Sequence, residues 1–353
     1  MLLAAGVPVS APRAAHGPPL RSLAEPIGLH IGTSVSAEVG SRRDIVTREF
    51  SMVTPENAMK WVAVHPEPGV YDFRWADLVV AMAQQNGMQV RGHTLAWDKQ
   101  LPRWIAEGAF SKEEWIRILH DHIATVMGHY RTRFPGVVTQ WDVVNEAIAD
   151  CPGPAPCGLR DSPWLRGIGP EYVELAFRFA READPAAKLY YNDYGSETGD
   201  DAGKAKTAAM MNMLKILQAD HVPIDGVGLQ FHTGGDGPQP SDLVESMKRV
   251  ADLNLDVAVT ELDVGIPPIA TGAMPDRAAF DRQAATYDRV LEACLEQARC
   301  HTFTVWGLSD ATSWRAPAFP CIYDRDLKPK PAYFALRDRL AHNGRDRTEP
   351  VHD

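Results

Sequence analysis

The sequence predicts an α/β fold, a single-domain (β/α)8 TIM barrel, on three observations. Eight short apolar, β-branched runs recur along the 353 residues, with stretches of helical apolar spacing between them. Polar, ionisable and aromatic residues gather just after the runs rather than before them. No linker or low-complexity tract divides the repeats into two units. Strands alternating with helices pair in parallel through right-handed crossovers, and eight such units close naturally into a barrel. A doubly wound open sheet is the alternative, but it ordinarily carries a glycine-rich phosphate loop after its first strand, and none follows Val35.

The strand-like runs are 29–35, 52–54, 89–92, 139–144, 188–191, 226–230, 256–260 and 302–305. Helical periodicity marks 75–86, 112–130, 172–182, 204–220, 242–253, 277–298 and 332–340, while the first interval, 37–49, is short and weakly helical. Ser241-Asp242 ahead of Leu243, with Glu245 in the first turn, reads as a helix start, and so does Asp276 before Arg277. Trp61, Trp75, Trp104, Trp115 and Trp141 read as packing residues. The simplest division is a barrel domain over 20–342, with 1–19 as an N-terminal tail or signal remnant and 343–353 as a C-terminal tail.

Composition narrows the function classes. Hydrophobic residues make up 45% of the chain, enough for one large core. A net charge of −10 with no basic patch argues against nucleic acid, whose binding needs clustered cations. No apolar run reaches the roughly 18–20 residues that span a bilayer, so no membrane partner is expected; nor is any cofactor, and a monomer is the simplest state. Residues 1–9 are apolar and small residues follow, but no basic segment precedes Leu2, so a truncated export signal and a plain tail both remain open. Of five cysteines, Cys151 and Cys157 bracket a rigid Pro-Gly-Pro-Ala-Pro loop, and Cys294 and Cys300 lie between a helix and a strand. Two short-loop disulfides and one odd cysteine, Cys321, favour an oxidising compartment, hence a secreted or periplasmic protein. No cysteine or histidine spacing suits a zinc site, and no metal is expected.

The residues after each run make the functional argument, because catalytic groups of such barrels project from the C-terminal strand ends. Glu56, Asn57 and Lys60 follow the second run, and His93 and Trp97 the third. Asn145-Glu146 end the fourth; Asn192, Asp193 and Tyr194 follow the fifth. Gln230 and His232 end the sixth, Glu261 and Asp263 the seventh, and Trp306 the eighth. One cleft lined by carboxylates, imidazoles, amides and indoles suits a sugar, whose C–H faces stack on rings while its hydroxyls need fixed polar partners. Two carboxylates flanking one bond are the usual equipment for glycoside hydrolysis.

Six motifs now carry a family resemblance: Thr-Pro-Glu-Asn-Ala-Met-Lys-Trp (54–61), Arg-Gly-His-Thr-Leu-Ala-Trp (91–97), Trp-Asp-Val-Val-Asn-Glu-Ala (141–147), Gly-Leu-Gln-Phe-His (228–232), Thr-Glu-Leu-Asp-Val (260–264) and Thr-Val-Trp-Gly-Leu-Ser-Asp (304–310). Together, in order and spacing, they resemble the endo-β-1,4-xylanases of glycoside hydrolase family 10. The resemblance implies a (β/α)8 barrel that cleaves internal β-1,4-xylosidic bonds of xylan with net retention, through a covalent glycosyl-enzyme. It implies Glu146 as acid/base and Glu261 as nucleophile. Glu56, Asn57, Lys60 and Gln100 would bind the sugar on the non-reducing side. His93, Trp97, Asn145, Gln230, His232 and Trp306 would surround the sugar being cleaved, with Trp314 as a cover and Tyr194 as a platform near the leaving group. The pair Cys294 and Cys300 matches a disulfide position seen in many members.

The chain also departs from that pattern. Asp98 stands where many members carry histidine and reads as a solvated rim charge; Phe231 replaces a usual serine and reads as a packing change. The loop after Phe319-Pro320 is shortened and carries Cys321, and the loop between Cys151 and Cys157 differs from the usual polar one.

Retention requires Glu146 to start protonated, so its surroundings are expected to raise its pKa, with the Glu261 charge helping. His232 is expected to hold Glu261, and Asp263 to orient the imidazole. Two other classes compete: a non-catalytic sugar-binding barrel, which would be expected to lack one of the two glutamates, and a metal-dependent barrel hydrolase, which would group His and Asp ligands at strand ends. Within the glycosidases, another β-1,4-glycoside such as an aryl cellobioside is the alternative substrate.

Overall fold

The computed structural model describes residues 17–155, 157–267 and 274–346; the tail or signal segment 1–16 and the tail residues 347–353 lie outside them. Nine strands form the sheet: β1 (His30–Val35), β2 (Met52–Pro55), β3 (Gln89–Ala96), β4 (Val138–Asn145), β5 (Lys188–Asp193), β6 (Gly226–Leu229), β7 (His232–Gly234), β8 (Asp256–Gly265) and β9 (Cys300–Val305). All pairings are parallel. β1 pairs with both β2 and β9, and β6 pairs with β8, which closes an eight-stranded barrel. β7 carries the line of β6 onward after a break at Phe231, whose φ of +58° turns the chain. It pairs with the upper half of β8, setting His232 opposite Asp263.

Among the described residues, one longer helix follows each barrel strand: α1 (Arg43–Glu49), α2 (Arg74–Gln85), α3 (Lys112–Arg133), α4 (Tyr172–Ala183), α5 (Asp201–Ala219), α6 (Pro240–Ala251), α7 (Arg277–Glu296) and α8 (Pro331–Asp346). Local chemistry sets their starts. Asp276 caps α7 by accepting from Ala279 N–H at 2.8 Å, as expected. α6 begins one residue before Ser241, on Pro240, whose fixed φ suits the first helical position, so Ser241 is not its cap. Ser111 and Glu114 form a reciprocal capping box at α3. A short helix, Leu20–Ala24, lies under the barrel: Arg21 donates to the carbonyls of Thr47, Asn86 and Gly87, just ahead of β2 and β3. No helix among the described residues is long and apolar enough to cross a membrane.

Of the tryptophans read as packing, Trp61, Trp115 and Trp141 are buried, but Trp75 is 49% exposed. In α2 the core face is Ala76, Val79, Val80 and Ala83, and Trp75 falls on the other side of the 3.6-residue period. Phe231 is fully buried, as expected of a packing change. Disulfides join Cys151 to Cys157 and Cys294 to Cys300, and Cys321 is a buried free thiol.

The barrel interior is not wholly apolar. Arg91, fully buried, donates from Nε to Asp142 Oδ1 at 3.0 Å and from Nη1 to Gln140 Oε1 at 2.7 Å, and packs on the Tyr190 ring at 4.3 Å. Gln140 reaches across the barrel to Thr302 Oγ1 at 2.9 Å. Gly92 makes room beside this layer: a Cβ there would stand 2.2 Å from the Trp141 ring.

A second buried polar pair sits outside the barrel. His65 and His122 meet Nδ1 to Nδ1 at 3.2 Å, with His122 stacked on Trp61 at 3.5 Å. Burial lowers the His65 pKa to about 4; burial and the neighbouring ring push His122 well below its ordinary value. A depressed folded-state pKa means that the unfolded chain binds the proton first as pH falls. The stability this pair contributes is therefore complete above the unfolded value near 6.5 and is lost on acidification towards about 4. Between about pH 7 and pH 5 the His65 shift alone corresponds to a loss on the order of 2 kcal/mol. Urea unfolding at those two pH values is expected to show a steeper loss in the wild type than in a His65→Asn, His122→Asn double variant; equal slopes would refute the assignment.

Candidate active site

The expected site residues meet in one cleft of about 730 Å³ at the C-terminal end of the barrel. From β2 come Glu56, Asn57 and Lys60; from β3, His93, Trp97 and Gln100; from β4, Asn145 and Glu146. Tyr194 follows β5, Gln230 and His232 flank the break after β6, Glu261 lies within β8, and Trp306 and Trp314 follow β9. Lys99 and Arg315 line the same cleft and were not anticipated.

Glu261 sits in the middle of β8, which runs five residues beyond the expected strand because β7 pairs with it. Its Oε1 accepts from Asn192 Nδ2 at 2.7 Å and its Oε2 contacts His232 Nε2 at 3.1 Å. The other ring nitrogen of His232 stands 3.1 Å from Asp263. Burial disfavours the charged ring, but Asp263 and Glu261 on either side outweigh it and raise His232 to about 10, so it is an imidazolium at neutral pH. Asp263 lies behind the cleft and is held in turn by Trp314 Nε1 at 2.8 Å and by Arg315. Trp314, 59% exposed, is thus tethered at its indole nitrogen while its ring lines the cleft beside His232.

Glu146 closes β4 in a left-handed conformation, φ +55°, that turns its carboxyl into the cleft; such angles are uncommon outside glycine. Its backbone N–H donates to Asn192 O at 2.8 Å, which ties it to β5. Gly228 lets the Asn192 amide sit there, since a Cβ would stand 2.2 Å from Asn192 Oδ1. Glu146 Oε1 accepts from Gln230 at 3.2 Å; Oε2 accepts from Lys99 Nζ at 2.8 Å. Burial raises the Glu146 pKa, but the Lys99 contact and bonds from Trp97 and Gln230 more than offset it, and the net shift is downward. The expected upward shift is therefore corrected: a lysine beside the carboxylate outweighs burial.

The walls follow the same logic. Lys60 donates to Asn57 at 3.0 Å and lies 4.8 Å over the Trp97 ring; burial lowers its pKa. Burial raises Glu56, against the pull of Lys60. His93 is held by Asp142 at 2.9 Å and stands edge-on to the buried Trp306, 5.5 Å between ring centres. Tyr194 is fixed by Asp150 at 2.9 Å and Arg160 at 3.0 Å, with Lys206 3.7 Å over its ring. Asp98 is not a solvated rim charge. Its Oδ1 is buried with no hydrogen-bond partner among the described residues, and burial raises its pKa against the pull of Lys99 and Arg160.

Lys99, Arg160 and Arg315 were not anticipated from the sequence, and Asn192 was placed at a strand end without a role. Asn192 follows the fifth run directly, and Lys99 stands between Trp97 and Gln100, so position alone marked both. Nothing in the sequence brings Arg160 to Glu146, whose main-chain oxygen it contacts at 3.0 Å.

The sequence model of glycosyl hydrolase family 10 matches residues 19–339. The chain belongs to glycosyl hydrolase family 10. Among family 10 proteins, endo-1,4-beta-xylanase B of Thermotoga neapolitana is 39% identical over 341 residues, covering 93% of this chain and 93% of that protein. A beta-1,4-xylanase of Dictyoglomus thermophilum is 38% identical over 319 residues, 87% of each. Among solved family 10 structures, native xylanase 10B from Thermotoga maritima matches with a TM-score of 0.85 at 37% identity, over 93% of this chain and 100% of that one. Xylanase 10B from Thermotoga petrophila RKU-1, in complex with xylobiose, also matches with a TM-score of 0.85, at 36% identity over 94% and 100% of the two chains.

Proposed function

We propose that this family 10 hydrolase is an endo-1,4-β-xylanase that cuts internal bonds of xylan by double displacement, with Glu261 as nucleophile and Glu146 as acid/base. The observation that carries the reading is the pair of unlike carboxyl environments in one cleft: Glu261 between Asn192 and the His232 imidazolium, Glu146 facing it from β4. Glu261 attacks the anomeric carbon while Glu146 gives its proton to the leaving oxygen. In the second step Glu146, now a carboxylate, takes a proton from the water that releases the sugar. His232 balances the Glu261 charge and, backed by Asp263, fixes its orientation. Trp97, Trp306 and Trp314 offer ring faces to sugar C–H groups, while Glu56, Asn57, Lys60, Gln100 and His93 offer polar partners to hydroxyls.

The two disulfides fit an oxidising compartment, and we read the enzyme as secreted or periplasmic, acting as a monomer. The test is release of reducing sugar from soluble xylan, with the anomer of the first product read by NMR. The β-anomer is expected first. An initial α-anomer would rule out retention, and cleavage of an aryl cellobioside but not xylan would redirect the substrate.

A further inference from the structure

The proton that Glu146 must donate has a definite place to sit. Oε1 is already engaged by Gln230, so Oε2 is the oxygen left to carry it. That oxygen is the one Lys99 Nζ occupies at 2.8 Å. Lys99 pairs with no other carboxylate among the described residues. Its side chain is 49% exposed on the cleft side, and the ammonium lies 5.3 Å from the Trp97 ring centre and 5.9 Å from that of Tyr194. An ammonium has three donors and no acceptor, so it can hold a carboxylate but cannot face a protonated oxygen's O–H.

We propose that Lys99 is a positioning residue for the acid/base: it clamps Glu146 as a carboxylate in the resting enzyme, and the sugar entering over Tyr194 must move its ammonium off Oε2 before Glu146 can act as an acid. This deepens the hydrolase reading and rests on it. The proton that Glu146 then carries comes from solvent, and Lys99 stays charged throughout. The other charged or titratable groups around Glu146 are Lys60 from the loop after β2, Asp98 beside Lys99, Arg160 at its main-chain oxygen, Tyr194 after β5 and Glu261 on β8. Lys60 and Arg160 favour the carboxylate, while Asp98 and Glu261 oppose it. Lys99 is the one in direct contact with Oε2, and burial alone would carry Glu146 the other way.

Two measurements on the full-length protein test this. The first follows the Glu146 carboxyl carbon by NMR titration of 13C-glutamate-labelled protein, with the resonance assigned through Glu146→Gln. Relative to wild type, Lys99→Met is expected to raise the Glu146 midpoint by about one pH unit, and Lys99→Arg, which keeps the charge, to leave it near the wild-type value. The second is the basic limb of kcat/KM, which reports the free enzyme, against that of kcat, which reports the bound complex. Lys99→Met is expected to move the kcat/KM limb upward by a similar amount and the kcat limb by less. A Glu146 midpoint that does not move in Lys99→Met, or limbs that shift equally, overturns the proposal. The titration needs no substrate, so a protein inactive on xylan would sink the xylanase reading while the midpoint still decides the role of Lys99.

Discussion

Glu261→Ala is expected to lower kcat on xylan by about four to five orders of magnitude, near 6 kcal/mol of barrier at 1.36 kcal/mol for each tenfold. Asn192 and the His232 imidazolium would remain in place around the lost carboxylate, so the fold is expected to survive while the covalent path is closed. Glu146→Ala is expected to be as severe on xylan but to depend on the leaving group. An aryl glycoside with an acidic phenol needs little protonation, so its first step recovers and the glycosyl-enzyme accumulates for want of a base. A small anion such as azide, needing no base, is then expected to restore turnover in Glu146→Ala and not in Glu261→Ala. Comparable residual activity of the two variants on every substrate would contradict the division of roles.

The second large effect is on stability. Arg91→Met leaves the buried Asp142 without its guanidinium, and breaking one partner of a buried pair costs about 3–5 kcal/mol. Burial disfavours the Asp142 charge; Arg91 and His93 together pull its pKa below the usual carboxylate range. Because Asp142 also holds His93, activity is expected to fall with stability. Replacing both partners, Arg91→Met with Asp142→Leu, is expected to recover much of the folding free energy, since it removes the stranded charge, but not the activity. Urea unfolding of the three proteins is the measurement. A single variant no less stable than the double would show that the pair is not coupled.

Much of this was legible in the residues. Continuous apolar, β-branched runs located all eight barrel strands, and 3.6-residue spacing located seven of the helices between them, because burial within the sheet or under a helix demands those patterns; the first helix showed only weakly. The strand-end residues mapped onto one cleft because every barrel strand ends on the same face. What escaped depends on contacts between distant segments. Trp75 looks like a core residue until the helical phase set by Ala76 and Val79 turns it outward. Asp98 looks solvated until the segments bearing Arg160 and Tyr172 come near it. The sign of the Glu146 shift turned on Lys99, a residue two positions past the 91–97 motif and in no periodic pattern. The His65–His122 pair joins residues 57 positions apart, and no local rule anticipates it.

The Glu146 N–H bond to Asn192 O and the placement of Glu261 inside β8 seat both carboxylates on the strand lattice rather than on loops. Asp98, the Cys151–Cys157 loop and the segment around Cys321 all lie outside the strands. Exchanges in the connecting segments can therefore reshape the surroundings of the cleft while the backbone seats of Glu146 and Glu261 stay fixed by the sheet.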